Sequence, residues 1–174
     1  MGNTISTTIA AICLLFAVAG GVSAADDNHR NTISQVQDFS PLATLLEQKR
    51  VPLVLMFSSE HCAYCVRVES EFLIPMQISG DYDNRAIIRK VEIDSGNELV
   101  DFSGQRLSAD QFASRYHIYV TPTVVFLDHH GNQLAPKRVG LMTPDFYGGY
   151  LDDSIATALD ILRRNKPLRV SQQD

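Results

Sequence analysis

The seven-residue run Val51 to Phe57 is apolar throughout and rich in branched side chains. It is too short for an ordinary helix, and it has no polar position that would turn one face of a strand to water, so it predicts a central β-strand covered on both faces. Strands of that kind belong to sheets layered between helices. Immediately behind the run stands a polar junction, Ser58-Ser59-Glu60-His61. A segment beginning at Cys62, with Val66, Phe72, Leu73 and Met76 at helical spacing, follows it and falters at Pro75.

The remaining segments fit around that strand. Thr32 to Gln37 reads as a short edge strand, and Ser40-Pro41 as an N-cap with proline in the first turn of a helix reaching about Lys49. Ala86 to Asp94 reads as a second strand and Ser95 to Arg106 as an irregular connection. Ser108 and Gln111 form a capping-box pattern that opens a helix through about Arg115. Val124 to Leu127, the turn Asp128-His129-His130-Gly131-Asn132 and Leu134 to Leu141 read as an antiparallel hairpin. Thr143-Pro144 then starts a closing helix with Leu151, Ile155, Ala158, Leu159 and Leu162 on one face. The order predicts an α/β fold, a mixed central sheet with helices on both faces.

The first 24 residues carry no charged side chain. They run from a polar start through an apolar stretch, Ile9 to Val22, to Val22-Ser23-Ala24, which suits signal-peptidase cleavage after Ala24, or after Ala25 with Ser23 in the third-last place. An uncleaved anchor is the alternative, although the apolar stretch of 14 residues is short against the roughly 20 needed to span a bilayer. The expected organisation is a cleaved signal peptide over 1–24, an N-terminal extension over 25–38, one domain over 39–164 and a polar tail over 165–174. The expected location is therefore periplasmic or secreted.

Cys13 leaves with the leader, so the mature chain keeps two of the three cysteines, Cys62 and Cys65. Spaced i, i+3 at the start of a helix, the two thiols are close enough to form a disulfide. Cys62 would lie beside unpaired backbone N–H groups and the positive end of the helix dipole, which stabilise a thiolate. It would attack a disulfide and Cys65 would resolve the mixed disulfide, with neither metal nor organic cofactor. Other uses of the spacing remain open. Zinc would need further ligands from His61, His117, His129 or His130, haem attachment would need histidine where Val66 stands, and a fixed disulfide over so short a loop constrains the unfolded chain little. With 15 Lys and Arg against 20 Asp and Glu, the net charge of −5 argues against a nucleic-acid partner.

The run Val54-Leu55-Met56-Phe57-Ser58-Ser59-Glu60-His61-Cys62-Ala63-Tyr64-Cys65, with Val120-Thr121-Pro122-Thr123-Val124-Val125-Phe126 placing Pro122 57 residues beyond Cys65, resembles the thioredoxin superfamily. The resemblance covers about Phe39 to Leu162 and is nearest to the exported bacterial thioredoxin-like proteins. It implies a thioredoxin fold, Pro122 as a cis-proline facing the cysteines, and Thr121 with Pro122 as the substrate-contacting pair. An ordinary trans turn at Pro122 is the alternative. It also implies protein thiols and disulfides as substrates.

The departures from the family pattern matter as well. The chain has no tryptophan, and Ala63-Tyr64 replaces the Gly-Pro pair of cytosolic thioredoxins. Met56 stands where those proteins carry a buried acid, which leaves Glu60 as the nearest proton-transfer candidate or as a solvated loop carboxylate. His61 either stabilises the Cys62 thiolate when protonated or merely covers the site. Tyr64 is similar to the residue between the cysteines of bacterial disulfide isomerases and glutaredoxins, which points to exchange chemistry. Glu60, His61, Ala63 and Tyr64 are thus the residues expected to tune the pair.

Thr121 before the proline resembles reductase and isomerase sites, and the region before the domain is too short for the dimerisation domain that isomerases use. The expectation is a monomeric reductase supplied by a membrane thiol relay. The alternatives are an oxidant of folding proteins and a non-catalytic module that binds peptide or a metallated partner. His129-His130 would sit on a hairpin tip, as solvated side chains or as metal ligands. Phe146-Tyr147-Gly148-Gly149-Tyr150 reads as core packing or as a contact surface.

Overall fold

A computed structural model describes residues 31–164. The leader, residues 25–30 of the extension and the tail from Asn165 lie outside the described residues. Within them the chain runs α1 (Ser40–Lys49), β1 (Leu53–Ser58), α2 (Ala63–Val68), a π-helical turn (Glu69–Leu73), α3 (Ile74–Ile78), β2 (Ile87–Glu92), β3 (Glu98–Val100), β4 (Arg106–Ser108), α4 (Ala109–Arg115), β5 (Thr123–Leu127), β6 (Gln133–Val139) and α5 (Pro144–Arg164).

The apolar run forms β1, and every residue of it is buried. β1 lies inside a four-stranded sheet of order β2-β1-β5-β6, parallel to β2 and antiparallel to β5, which in turn pairs antiparallel with β6. The sheet is mixed and flanked by helices. Successive side chains of β1 point to opposite faces, and Phe57 joins Phe39, Phe102, Phe112 and Tyr116 in one aromatic cluster with centroid spacings of 4.7 to 6.4 Å. Elsewhere in the core Phe72 meets Tyr147 at 5.0 Å, and Leu151, Ile155, Ala158 and Leu159 of α5 are buried. Each fully buried Phe or Leu contributes roughly 2 kcal/mol of transfer free energy.

Several boundaries move for local reasons. Phe39, not Ser40, caps α1, and Asp38 Oδ1 accepts the Ser40 N–H at 2.8 Å. Thr32 to Gln37 forms no full strand. It touches the sheet through a parallel bridge between Gln35 and Lys90, yet it buries Ile33 and Val36 in the core. The helix after Cys62 does not end at Pro75. Proline lacks an N–H and its ring collides with the carbonyl four residues back, and the π turn just ahead of it widens the spiral, so the Ile74 N–H reaches Glu69 O.

The connection Ser95 to Arg106 is not irregular throughout, since it holds the small antiparallel pair β3–β4. Its turn is organised by the Asp101 carboxylate, which accepts the Ser103 and Gln105 N–H groups and the Ser103 hydroxyl at 2.7 to 2.8 Å, and which also pairs with Arg115. The aromatic segment of α5 is split: Tyr147 is buried, whereas Phe146 and Tyr150 are exposed.

Candidate active site

β1 ends at Ser58 and delivers the chain to the cysteine pair. The junction is fastened to the end of β2 twice. The Ile93 N–H donates to Ser58 O at 2.9 Å, and the Glu60 N–H donates to the two Asp94 carboxylate oxygens at 2.9 and 3.1 Å. His61 then takes a left-handed φ of 59°, a conformation a non-glycine residue adopts at some energetic cost, and the chain turns into α2.

Cys62 is the N-cap of α2 and forms a disulfide with Cys65 across a Cα separation of 5.2 Å. The two sulfurs are not equivalent. Cys62 is half-buried and its Sγ accepts the Cys65 N–H at 3.1 Å, while Cys65 is only 2% exposed. An incoming sulfur can reach Cys62, and the buried Cys65 can reach only its neighbour. That asymmetry suits one attacking and one resolving position.

The second wall comes from the start of β5. Phe57 pairs with Thr123, so the residues just before Thr123 lie at the cysteine end of the sheet. The Thr121–Pro122 peptide is cis, Pro122 is buried, and its carbonyl accepts the Gly140 N–H at 2.7 Å. Thr121 Oγ1 lies 3.8 Å from Cys62 Sγ and 2.7 Å from Ser59 Oγ. The fold therefore brings Cys62, Cys65, Thr121 and Pro122 together from two segments far apart in sequence.

The remaining candidates are arranged differently. Ala63 and Tyr64 are exposed on the first turn of α2, Tyr64 at 58%. Glu60 and His61 are exposed on the approach, and Glu60 is engaged there through its backbone. Met56 is fully buried in β1. His129 and His130, with ring centroids 3.9 Å apart, occupy the β5–β6 turn at the far end of the sheet from the cysteines. Among the described residues no group of three or more His, Cys, Asp and Glu side chains is placed to hold a metal ion.

Sequence reasoning missed Ser59 and Asp94. Both are ordinary polar residues in polar stretches, and only their contacts across the chain set them apart. Val66, counted with Phe72, Leu73 and Met76 in the apolar spacing of the helix, is instead exposed on it, and Tyr119 and Val120 are exposed just ahead of Thr121.

A model of the thioredoxin-like domain family matches residues 42–155. No curated protein sequence matches the chain. Among solved structures, the oxidised C-terminal domain of DsbD from Neisseria meningitidis is similar at 14% identity over 70% of this chain and 99% of that one, with a TM-score of 0.50. A thioredoxin-fold protein from Helicobacter pylori shares 20% identity over 78% of this chain and 91% of its own, with a TM-score of 0.49. A thioredoxin h from poplar shares 16% over 70% and 96%, also with 0.49. At these identities the structural likeness speaks for the fold alone. The family match spans most of the chain and encloses both the Cys62–Cys65 pair and Pro122, so the chain belongs to the thioredoxin-like domain family and is a thiol–disulfide oxidoreductase.

Proposed function

We propose that the protein acts outside the cytosol as a monomeric reductase of protein disulfides, with Cys62 as the attacking thiolate and Cys65 as the resolving thiol. The observation that carries the roles is the unequal burial of the two sulfurs, with Thr121 at 3.8 Å from the more accessible one. Thr121 and Pro122 form the clamp: the backbone of Thr121 pairs with an extended substrate segment, and the exposed Tyr64, Val66, Tyr119 and Val120 supply apolar contact around the sulfur. Glu60 and His61, exposed on the approach to Cys62, tune the pair, Glu60 as the nearest proton-transfer group and His61 as the residue next to Cys62 in the chain. The reducing direction is supported by the threonine before the proline, which resembles reductase and isomerase sites. The apolar run Ile9 to Val22 followed by the small-residue site Val22-Ser23-Ala24 supports a periplasmic or secreted location. A reductase there draws electrons from a membrane thiol relay.

The chemistry balances without a cofactor. The Cys62 thiolate attacks one sulfur of a substrate disulfide, and the other sulfur leaves as a thiolate. Cys65, deprotonated, then attacks Cys62, and the second substrate sulfur leaves. Two electrons pass to the substrate as the Cys62–Cys65 bond forms.

Insulin-disulfide reduction by the full chain tests the activity, and the Cys62→Ser, Cys65→Ala double variant is expected to lose it. Equal rates for wild type and double variant would overturn the reading. The potential of the pair against glutathione tests direction: roughly −270 mV marks a reductant and roughly −120 mV an oxidant of folding proteins. Cys65→Ala is expected to accumulate mixed disulfides that identify the substrates. Fractionation of expressing cells, with sequencing of the mature N-terminus at Ala25 or Asp26, tests export.

A further inference from the structure

Ser59 has no role assigned to it within the run that ends at Cys65, yet its hydroxyl and both of its chain neighbours are held by hydrogen bonds. Its neighbours Ser58 and Glu60 are both tied to the end of β2, through the Ile93 N–H and through Asp94. The Ser59 hydroxyl lies 2.7 Å from the Thr121 hydroxyl, which lies 3.8 Å from Cys62 Sγ. Each hydroxyl has one proton to give. A disulfide sulfur or a thiolate has none, so Thr121 donates to Cys62 and Ser59 donates to Thr121. Only that polarity satisfies both contacts. All three side chains are half-buried, where water competes less for the bonds.

At 3.8 Å the contact with a neutral disulfide sulfur is weak. Reduction changes the acceptor. A thiolate carries a full charge, and a hydroxyl already aimed at it gives a charge-assisted bond without reorganisation. A threonine hydroxyl has several staggered orientations to choose among. We propose that Ser59 is a positioning residue of the redox site: by donating to Thr121 it holds the Thr121 hydroxyl on Cys62 Sγ and so stabilises the Cys62 thiolate over the thiol and over the disulfide. The sulfur then receives two donors, this relayed hydroxyl and the Cys65 N–H at 3.1 Å. The inference rests on the reading of Cys62 as the attacking thiolate.

The test is a double-variant cycle on the full chain. After reduction, the iodoacetamide alkylation rate of Cys62 is followed against pH and assigned by peptide mass, which separates it from Cys13 and Cys65. Ser59→Ala is expected to move the midpoint upward and to lower the alkylation rate below that midpoint about threefold, the size of one neutral hydrogen bond. The equilibrium with glutathione is expected to shift by a similar factor toward the protein disulfide. Thr121→Val is expected to do at least as much, and Ser59→Ala to add nothing in the Thr121→Val background. Ser59→Thr, which restores a hydroxyl, is expected to recover the wild-type midpoint.

A Ser59→Ala shift that persists undiminished beside Thr121→Val would overturn the relay, as would an unchanged midpoint in Ser59→Ala. Far-ultraviolet circular dichroism checks that the variants are folded. A wild-type pair that never equilibrates with glutathione would sink the oxidoreductase reading instead. The alkylation midpoints, taken on chemically reduced chain, would still decide whether Ser59 acts through Thr121.

Discussion

Glu69, in the π turn of the active-site helix, receives the Lys90 ammonium of β2 at 2.8 Å on one carboxylate oxygen and the Ile33 N–H at 3.1 Å on the other. One side chain thus joins the helix that carries the cysteines, the edge strand of the sheet and the segment that precedes α1. The two charged side chains are 17% and 20% exposed, so neither is freely solvated. Glu69→Ala leaves an ammonium and a backbone N–H short of partners and is expected to destabilise the fold by about 2 kcal/mol. Glu69→Leu combined with Lys90→Met, which removes both charges but leaves the Ile33 N–H without its acceptor, is expected to recover part of that loss. Urea unfolding of the single and double variants checks it, and equal losses in both would refute the ion-pair account.

Gly131 and Gly140 both have positive φ, 83° and 67°, but only one of them is crowded. A Cβ on Gly131 would come within 2.6 Å of Phe102 Cδ2 and 2.9 Å of the Tyr116 hydroxyl, which itself donates to Gly131 O, whereas a Cβ on Gly140 meets nothing within 4 Å. Gly140→Ala carries only the left-handed backbone term, about 1 kcal/mol. Gly131→Ala adds displacement of a packed ring and is expected to destabilise by about 3 kcal/mol. Thermal melts that rank the two variants the other way round would show that the aromatic cluster yields to the turn.

How far the sequence carried the fold depended on whether the cause was local. The unbroken apolar run made β1 plain, and the capping pattern at Ser108 is met by the Gln111 side chain, which accepts the Ser108 N–H at 3.2 Å. The β3–β4 pair was not legible, because its nucleus is one carboxylate joined to Arg115 on another element, and no periodicity of three-residue strands announces it. The cysteines and Thr121-Pro122 stood out as residue types in a spacing. Ser59 did not, since a serine in a polar junction acquires its meaning only from Thr121, 62 positions on.

Tyr147 sits in the core against Phe72, and its hydroxyl, with no hydrogen-bond partner among the described residues, is buried; burial pushes its pKa up to about 12. An unmet buried hydroxyl opposes folding, and removing it leaves the ring packing intact. Tyr147→Phe is expected to leave stability unchanged or raise it by up to about 1 kcal/mol, where most truncations in the core lower it. A loss of more than about 1 kcal/mol in urea unfolding would mean that the hydroxyl is satisfied in solution.

Asp101 is expected to make stability depend on pH in the acid range. Burial alone would raise its pKa, but the hydrogen bonds from Ser103, from Arg115 and from the Gln105 and Ser103 N–H groups outweigh it and hold the carboxyl at about 2, against 3.8 for the free group. The folded protein therefore binds this proton less readily than the unfolded chain, and the stabilisation is complete above pH 3.8 and lost as the pH falls toward 2. The gap between the two values corresponds to about 2 kcal/mol. Asp101→Asn keeps the shape but not the charge, so the stability difference between wild type and variant is expected to be largest near pH 5 and to shrink toward pH 2. Urea midpoints measured across that range check this, and a difference that stays constant with pH would mean that the Asp101 charge is not what holds the β3–β4 turn to α4.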